Sequence, residues 1–240
     1  MNGQVAQFDH AVIMVRDQLD ELAPEYERLG YTLSRKSVHN LGSCNRLIVL
    51  DGTYVELLGW PPGAPPARKE IADSPLGLEA LVFRSHDAEA TRQRLLQAGF
   101  AANPVQDLTR AADVDGRPMQ AHFKTVRFAE QPLPGVRMYF CQHLTPECVW
   151  VPGLMRHDNG ALRLARIDIA AADARATAEV LGRVVGVEPT PGADGAWELP
   201  LANALLRVNP DSAHSRPFLQ GLSVADAAGR AVPMPTRFSG

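Results

Sequence analysis

The sequence predicts an α+β protein built from repeated βαβββ modules, with a shortened third module at the end. Three observations predict it. A strand, a helix and a closing glycine recur three times, as FDHAVIMVRDQLDELAPEYERLGY, LEALVFRSHDAEATRQRLLQAGF and ARIDIAAADARATAEVLGRVVGV. Within each copy the apolar pattern switches from the period of two of a strand to the 3.6 of a helix. After the first two copies come short alternating runs divided by turn residues, as expected of strands joined in a meander. A repeat of this length identifies an architecture before any single residue does.

The elements follow in order. Val12 and Met14 alternate with Ala11 and Ile13 to give the opening strand, and Leu19, Leu22, Tyr26 and Leu29 then recur on one helix face. Asp17, and Asp87 in the second copy, are placed to cap a first helical turn. Gly30, Gly99 and Gly186 are placed to end each helix in the left-handed conformation. Strands are predicted near 31–37, 44–50 and 53–59, the last two joined by the Asp51-Gly52 hairpin signal. The proline-rich stretch 61–75 crosses to a second module with a strand at 77–84, a helix at 87–98, a turn at 113–116 and a last strand at 135–143. Residues 145–160 read as a loop with a short helix. The third unit has a strand from near Leu162, a helix at 173–185 and strands around 196–201 and 203–209. A closing strand at 218–225 resembles the start of the second module and reads as the stub of a fourth unit. The expected modules are therefore 1–60, 61–160 and 161–240.

Composition narrows the function classes. The 240 residues provide ample chain for a packed core. A net charge of −3 with no basic stripe argues against nucleic acid as a partner. No apolar run approaches the roughly 18–20 residues of a membrane helix, and MNGQVAQFDH lacks a signal pattern. A cytoplasmic protein with a small-molecule partner is the expectation. Cys44, Cys141 and Cys148 form no CxxC pair and read as reduced thiols. No GxSxG elbow, GxGxxG or phosphate loop is present, which removes support for a serine hydrolase or a nucleotide cofactor.

Counted back from the three glycines, His10, Glu79 and Arg166 share one slot on the first strand of each copy. The first two can bind a metal; Arg166 cannot, so the third unit reads as structural or interface-forming. The paired βαβββ modules resemble the glyoxalase-like, or vicinal oxygen chelate, superfamily. The segments VHNLGSCNRLIVL, YFCQHLTPECVW and RHDNG are similar to a glyoxalase-like subfamily without a general reaction. The resemblance implies curved mixed sheets around a common cleft, with a divalent metal (Zn, Mn, Fe or Ni) held by the first and last strands of two modules. His10 and Glu56 take those positions in the first module, and Glu79 the first-strand position in the second. Aligning GTYVELL with GVRMYFC puts Tyr139 opposite Glu56, with Cys141 and His143 on the same strand face. Imidazole is the commonest metal ligand, which favours His143 for the fourth place.

Around this set, Arg46 can grip an anion, Asn45 can orient it, His39 lies in the preceding loop with Gly42, and Trp150 can supply an apolar wall. The implied function is a metal-dependent lyase, isomerase or dioxygenase acting on a small oxygen-rich substrate, with Glu56 or Glu79 as proton acceptor. The alternative is a metal-free binding protein of the bleomycin-resistance type. The superfamily often builds its clefts across dimers, so a homodimer and internal pairing of modules are both open.

Overall fold

Alternation along residues 8–16 becomes the first strand of the computed structural model, which describes residues 6–66 and 68–238. The order is β1 (Phe8–Arg16), α1 (Leu19–Arg28), β2 (Ser37–Val38), β3 (Cys44–Leu50), β4 (Thr53–Gly59), α2 (Lys69–Ala72), β5 (Gly77–Arg84), α3 (Ala88–Gln97), β6 (Gln106–Val114), β7 (Arg117–Arg127) and β8 (Arg137–His143). It continues with β9 (Arg163–Ala171), α4 (Ala174–Val185), β10 (Thr190–Pro191), β11 (Trp197–Pro200), β12 (Leu205–Pro210), β13 (Phe218–Ala225) and β14 (Ala231–Met234). Two short 3₁₀ turns, Pro146–Cys148 and Pro152–Met155, occupy the loop after β8.

β1 to β8 form one mixed sheet in the order β2-β3-β4-β1-β5-β8-β7-β6. Its centre is the antiparallel pair β1 and β5, the first strands of two successive βαβββ units, so these units pair within one chain. Each first strand also runs parallel to the last strand of its own unit, β1 with β4 and β5 with β8. A second sheet, β10-β11-β12-β9-β13-β14, repeats the scheme, with β9 parallel to β12 and antiparallel to β13. β13 thus stands to β9 as β5 stands to β1. The fold is α+β, with two curved sheets built on βαβββ units.

Strand alternation divides the apolar residues between two cores. Phe8, Ala11, Ile13 and Val15 of β1 join Leu19, Leu22 and Tyr26 of α1, Leu95 of α3, Leu181 of α4, and Ile167 and Ile169 of β9 in one continuous core. Val12 and Met14 face the other way, with Leu47, Tyr54, Val82, Phe123 and Tyr139, and line the cleft of the first sheet. Full burial of side chains such as Ile13, Ile48 and Leu81 contributes about 1.5–3 kcal/mol each.

Gly30, Gly99 and Gly186 all adopt positive φ, at 81°, 85° and 76°, as the helix-stop reading requires. Asp87 and Asp173 cap α3 and α4 through the amides of Ala90 and Ala176. Asp17 makes no such cap: the chain leaves β1 through Arg16 at φ 52°, α1 starts one residue later than expected, and Gln18 takes the cap position without a side-chain bond. The strand expected at 31–37 reduces to β2. Thr32 N–H goes to the His157 ring, and although Ser34 N–H reaches the Leu47 carbonyl of β3, the return bond from Leu47 N–H goes to the Ser34 hydroxyl, so the ladder does not continue. β14 is a strand the sequence pattern did not indicate. All three cysteines are free and buried, and no helix among the described residues is long and apolar enough to cross a membrane.

His157 ties the loop after β8 back to the first unit. Its Nδ1 accepts from Thr32 N–H at 3.0 Å and its Nε2–H donates to the Val49 carbonyl at 2.9 Å. Burial lowers its pKa below the ordinary histidine value, against an opposing effect of the Val49 carbonyl. The unfolded chain therefore takes up a proton first, so stability is complete above about pH 6.5 and declines as pH falls below it. The more deeply buried His39, lowered to about 4, acts with the same sign. In urea denaturation, His157→Phe is expected to lose about 1–3 kcal/mol at pH 7.5 and to show a shallower decline between about pH 6.5 and 5. Wild-type stability and slope in the variant would contradict this role.

Candidate functional site

The site begins with a break in strand alternation. Phe8 and Ala11 of β1 both face the helix-side core, and the β1–β5 register shifts between Phe8 and His10. The extra residue is a β-bulge, which turns two consecutive side chains, Asp9 and His10, to the same face. Asp9 is wholly buried. It accepts hydrogen bonds from His10 Nδ1 at 2.7 Å, Arg84 Nε at 2.8 Å and His143 Nε2 at 2.9 and 3.0 Å. Burial alone would raise its pKa, but the His143 charge and the His10 and His143 hydrogen bonds outweigh it and hold the carboxyl well below the usual range. With Nδ1–H donating to Asp9, the His10 ring presents Nε2 on the side away from Asp9, where it meets the Tyr139 hydroxyl at 3.2 Å. The ring stacks on Tyr54, with centroids 4.2 Å apart and planes inclined by 13°.

Glu56 of β4 faces the same cleft. Its Oε2 lies 3.6 Å from His10 Nε2 and its Oε1 lies 3.8 Å from His39 Nε2, both beyond hydrogen-bond reach, while Asn45 Nδ2 donates to Oε1 at 2.6 Å. Burial acts to raise the Glu56 pKa, but His10, His39, the Asn45 bond and Arg110 together lower it. Burial pushes His39 down to about 4, so this ring is neutral at pH 7; its Nδ1 meets Ser43 Oγ at 2.9 Å. Between these groups is a cavity of about 30 Å³, shared with Tyr139, Thr125 and Arg110. It is large enough for one water or ion. Asn45 Oδ1 is buried without a partner.

The residues singled out from sequence divide into three groups. His10, Glu56, His39 and Asn45 come together around this cavity. His143 instead bonds Asp9, and Trp150 packs beside it with centroids 4.8 Å apart and planes inclined by 57°, while Arg84 lies over the indole at 4.6 Å. Cys141 lines the cavity, and Tyr139 is the member of the Tyr139, Cys141 and His143 series that reaches His10. Glu79 forms a bidentate pair with Arg137, both bonds 2.5 Å, and lines a different cavity. Arg46 is on the opposite face of β3, paired with Glu27 at 2.6 Å and bonded to the Ser34 carbonyl.

The position of Glu79 corrects the slot equivalence. Val12 pairs with Glu56 and Val82 with Tyr139, so the register matches His10 with Ala80 and Asp9 with Glu79. Counting from the glycines misses this because the second module has one residue fewer between Asp87 and Gly99 than the first has between Asp17 and Gly30. Sequence reasoning also missed Asp9, Tyr54, Thr125 and Arg110. The doublet Asp9-His10 between Phe8 and Ala11 was a readable bulge signal; Arg110 carried none, since β6 reaches the site only through the sheet and its bridge to His39. Among the described residues, the ligand-type atoms that lie within 4.8 Å of one another are those of Asp9, Cys141 and His143. Both Asp9 oxygens are already occupied there and Arg84 is against one of them, so this cluster does not suit a cation.

A sequence model of the glyoxalase-like domain matches residues 8–185. No curated protein matches. Among solved structures the chain is similar to a hypothetical protein from Staphylococcus aureus, with TM-score 0.73 and 13% identity over 93% of this chain and 92% of that one. It is also similar to a mutant 4-hydroxymandelate synthase from Streptomyces coelicolor, with TM-score 0.58 and 16% identity over 92% of this chain and 71% of that one. A third likeness is to a fusion of a xylose isomerase-like TIM barrel with 4-hydroxyphenylpyruvate dioxygenase, with TM-score 0.58 and 13% identity over 93% of this chain and 37% of that one. At these identities the likeness is one of fold.

Because Asp9 joins donors from three strands in a wholly buried position, Asp9→Ala is expected to cost about 3–5 kcal/mol, as for other buried charge pairs that lose one partner. Urea denaturation at pH 7.5 measures it. A loss under about 1 kcal/mol would place the network among marginal surface pairs.

Proposed function

The chain belongs to the glyoxalase-like domain family, and on that footing we propose that it is a metal-dependent enzyme acting on a small, oxygen-rich substrate in the cleft of the first sheet. One observation carries the reading: two imidazole Nε2 atoms, from His10 and His39, face the two oxygens of a buried, ionised Glu56 at 3.6 and 3.8 Å around a cavity of about 30 Å³. The donor set suits a divalent ion. Two imidazoles and one carboxylate are a mixed N/O set typical of first-row transition metals, and a ligating histidine commonly gives its other N–H to a carboxylate, as His10 does to Asp9.

Such an ion, held by His10, His39 and Glu56, would supply Lewis-acid polarisation of a carbonyl or enediolate oxygen. The chain's own groups do the rest. Asp9 holds His10 in one tautomer and orientation. Asn45 fixes the Glu56 carboxylate at 2.6 Å, and Glu56 in its ionised form is the group available to accept a proton. The Tyr139 pKa is raised by burial and by Glu56, so its hydroxyl keeps its proton and can donate to an oxygen of the substrate. Glu79 is already neutralised by Arg137 and takes no part.

A metal-free ligand-binding protein is the second reading. Its favouring observation is Arg110, which lines the same cavity and already offsets the Glu56 charge.

Elemental analysis of protein purified without added metal or chelator separates the two. The expected result is about one equivalent of transition metal per chain, lost in His10→Ala and Glu56→Gln and retained in Glu79→Gln. A wild-type protein that carries no metal and takes none up on titration would sink the enzyme reading in favour of the second.

A further inference from the structure

Arg110 of β6 stands out among the described residues as a buried charge. It is 6% exposed, yet no carboxylate oxygen lies within ion-pair distance of it among the described residues. Its Nη1 donates to the Ala111 carbonyl at 3.2 Å, its guanidinium lies 5.8 Å from the centre of the Phe123 ring, and its Nη2 has no hydrogen-bond partner. Glu56, the carboxylate that shares its cavity, is taken by Asn45. A buried cation with no carboxylate in direct contact is costly, and Glu56 offsets this one only at a distance.

Position indicates what that ligand is. Arg110 lines the 30 Å³ inner cavity beside His10 and Glu56 and also an outer pocket of about 520 Å³; it is the residue common to both. Leu33, Leu47, Cys148, Val151 and Leu154 give the outer pocket an apolar wall. Its other charges are largely cancelled: Arg35 pairs with Asp113 at 3.2 Å and Lys36 with Asp20 at 2.7 Å, leaving Asp115 exposed on the β6–β7 turn. An anion entering this pocket would therefore meet one buried guanidinium at the junction with the inner site. A guanidinium fork matches a carboxylate geometrically.

We propose that the substrate of this cleft is a carboxylate with an apolar body, its carboxylate held by Arg110 and its body lying along the Leu47–Leu154 wall. The proposal takes the location of the cleft from the reading above and names the class of molecule it accepts. Arg110 is then a specificity-determining residue.

The test is calorimetric titration with phenylacetate and phenylacetamide, which share a shape and differ in charge, at pH 7.5. Wild-type protein is expected to bind the carboxylate at least about tenfold more tightly than the amide, with Arg110→Gln bringing the two to parity. Arg110→Lys keeps the charge but lacks the fork, so it should weaken phenylacetate at least about threefold and leave phenylacetamide unchanged. Equal affinities or absence of binding in the wild type would overturn the proposal, as would undiminished preference in Arg110→Gln or unchanged phenylacetate affinity in Arg110→Lys. The wild-type and lysine measurements decide the matter even where the glutamine variant fails to fold. Repeating the titration after exhaustive chelation separates the two claims: a preference that survives supports the carboxylate site whatever the metal content, and one that vanishes overturns direct recognition by Arg110.

Discussion

The buried carboxylate of Asp9 is the constraint on which the cleft depends. An isolated carboxylate costs several kcal/mol to remove from water, and that cost is offset only by donors of good geometry. Here the donors come from three strands: His10 of β1, Arg84 of β5 and His143 of β8. β1 belongs to the first βαβββ unit and β5 and β8 to the second, so one charge ties the two units together across their central pair. The same bonds select the His10 tautomer. The group that closes the seam therefore also aims Nε2 towards Glu56.

The bulge that makes this possible has a counterpart in the second unit. The register of β5 shifts opposite Val12 and Ile13, and Glu79 occupies there the place that Asp9 has in β1. Both bulged carboxylates are satisfied by arginine, Asp9 by Arg84 together with two histidines and Glu79 by Arg137 together with the Ser74 hydroxyl. The duplicated geometry has thus diverged chemically: one copy leaves an imidazole facing a cavity, and the other closes into a bidentate ion pair. The second sheet diverges further. Arg166 takes the His10 register and Arg207 the Glu56 register, with Asp168 and Glu198 as their partners, so cations stand where the first sheet has metal-ligand types.

Around Glu56 the balance of charge is finer. The polar surroundings of Glu56 outweigh its burial and hold its pKa below the ordinary value, and the guanidinium of Arg110 retains an unsatisfied nitrogen. Asn45 Oδ1 is likewise left without a partner. Unsatisfied buried polar atoms are uncommon in folded proteins, and two of them, on Asn45 and Arg110, belong to residues that line this one small cavity.

Much of the architecture was legible in the chain because strand alternation, helix periodicity and stop glycines are local signals. The three repeats, the helices at 88–97 and 174–185, the Asp87 cap, the strand at 218–225 and the closeness of His10, His39, Asn45 and Glu56 to one cleft follow from such patterns and from the resemblance they carry. What escaped was decided by register, which a one-residue shift alters for every side chain on a strand. A bulge placed Asp9 beside His10, one residue fewer between Asp87 and Gly99 moved Glu79 out of the shared slot, and alternation turned Arg46 to the helix side. Arg110 lies 54 residues from Glu56 in the chain and meets it only because β6 closes the far edge of the sheet while its bridge to His39 brings that edge round to the first unit. The sequence by itself determined which segments become strands and helices, because those preferences are local. Tertiary structure alone decided which charges share a cavity, because hydrogen-bond register and sheet curvature join residues that the chain keeps apart.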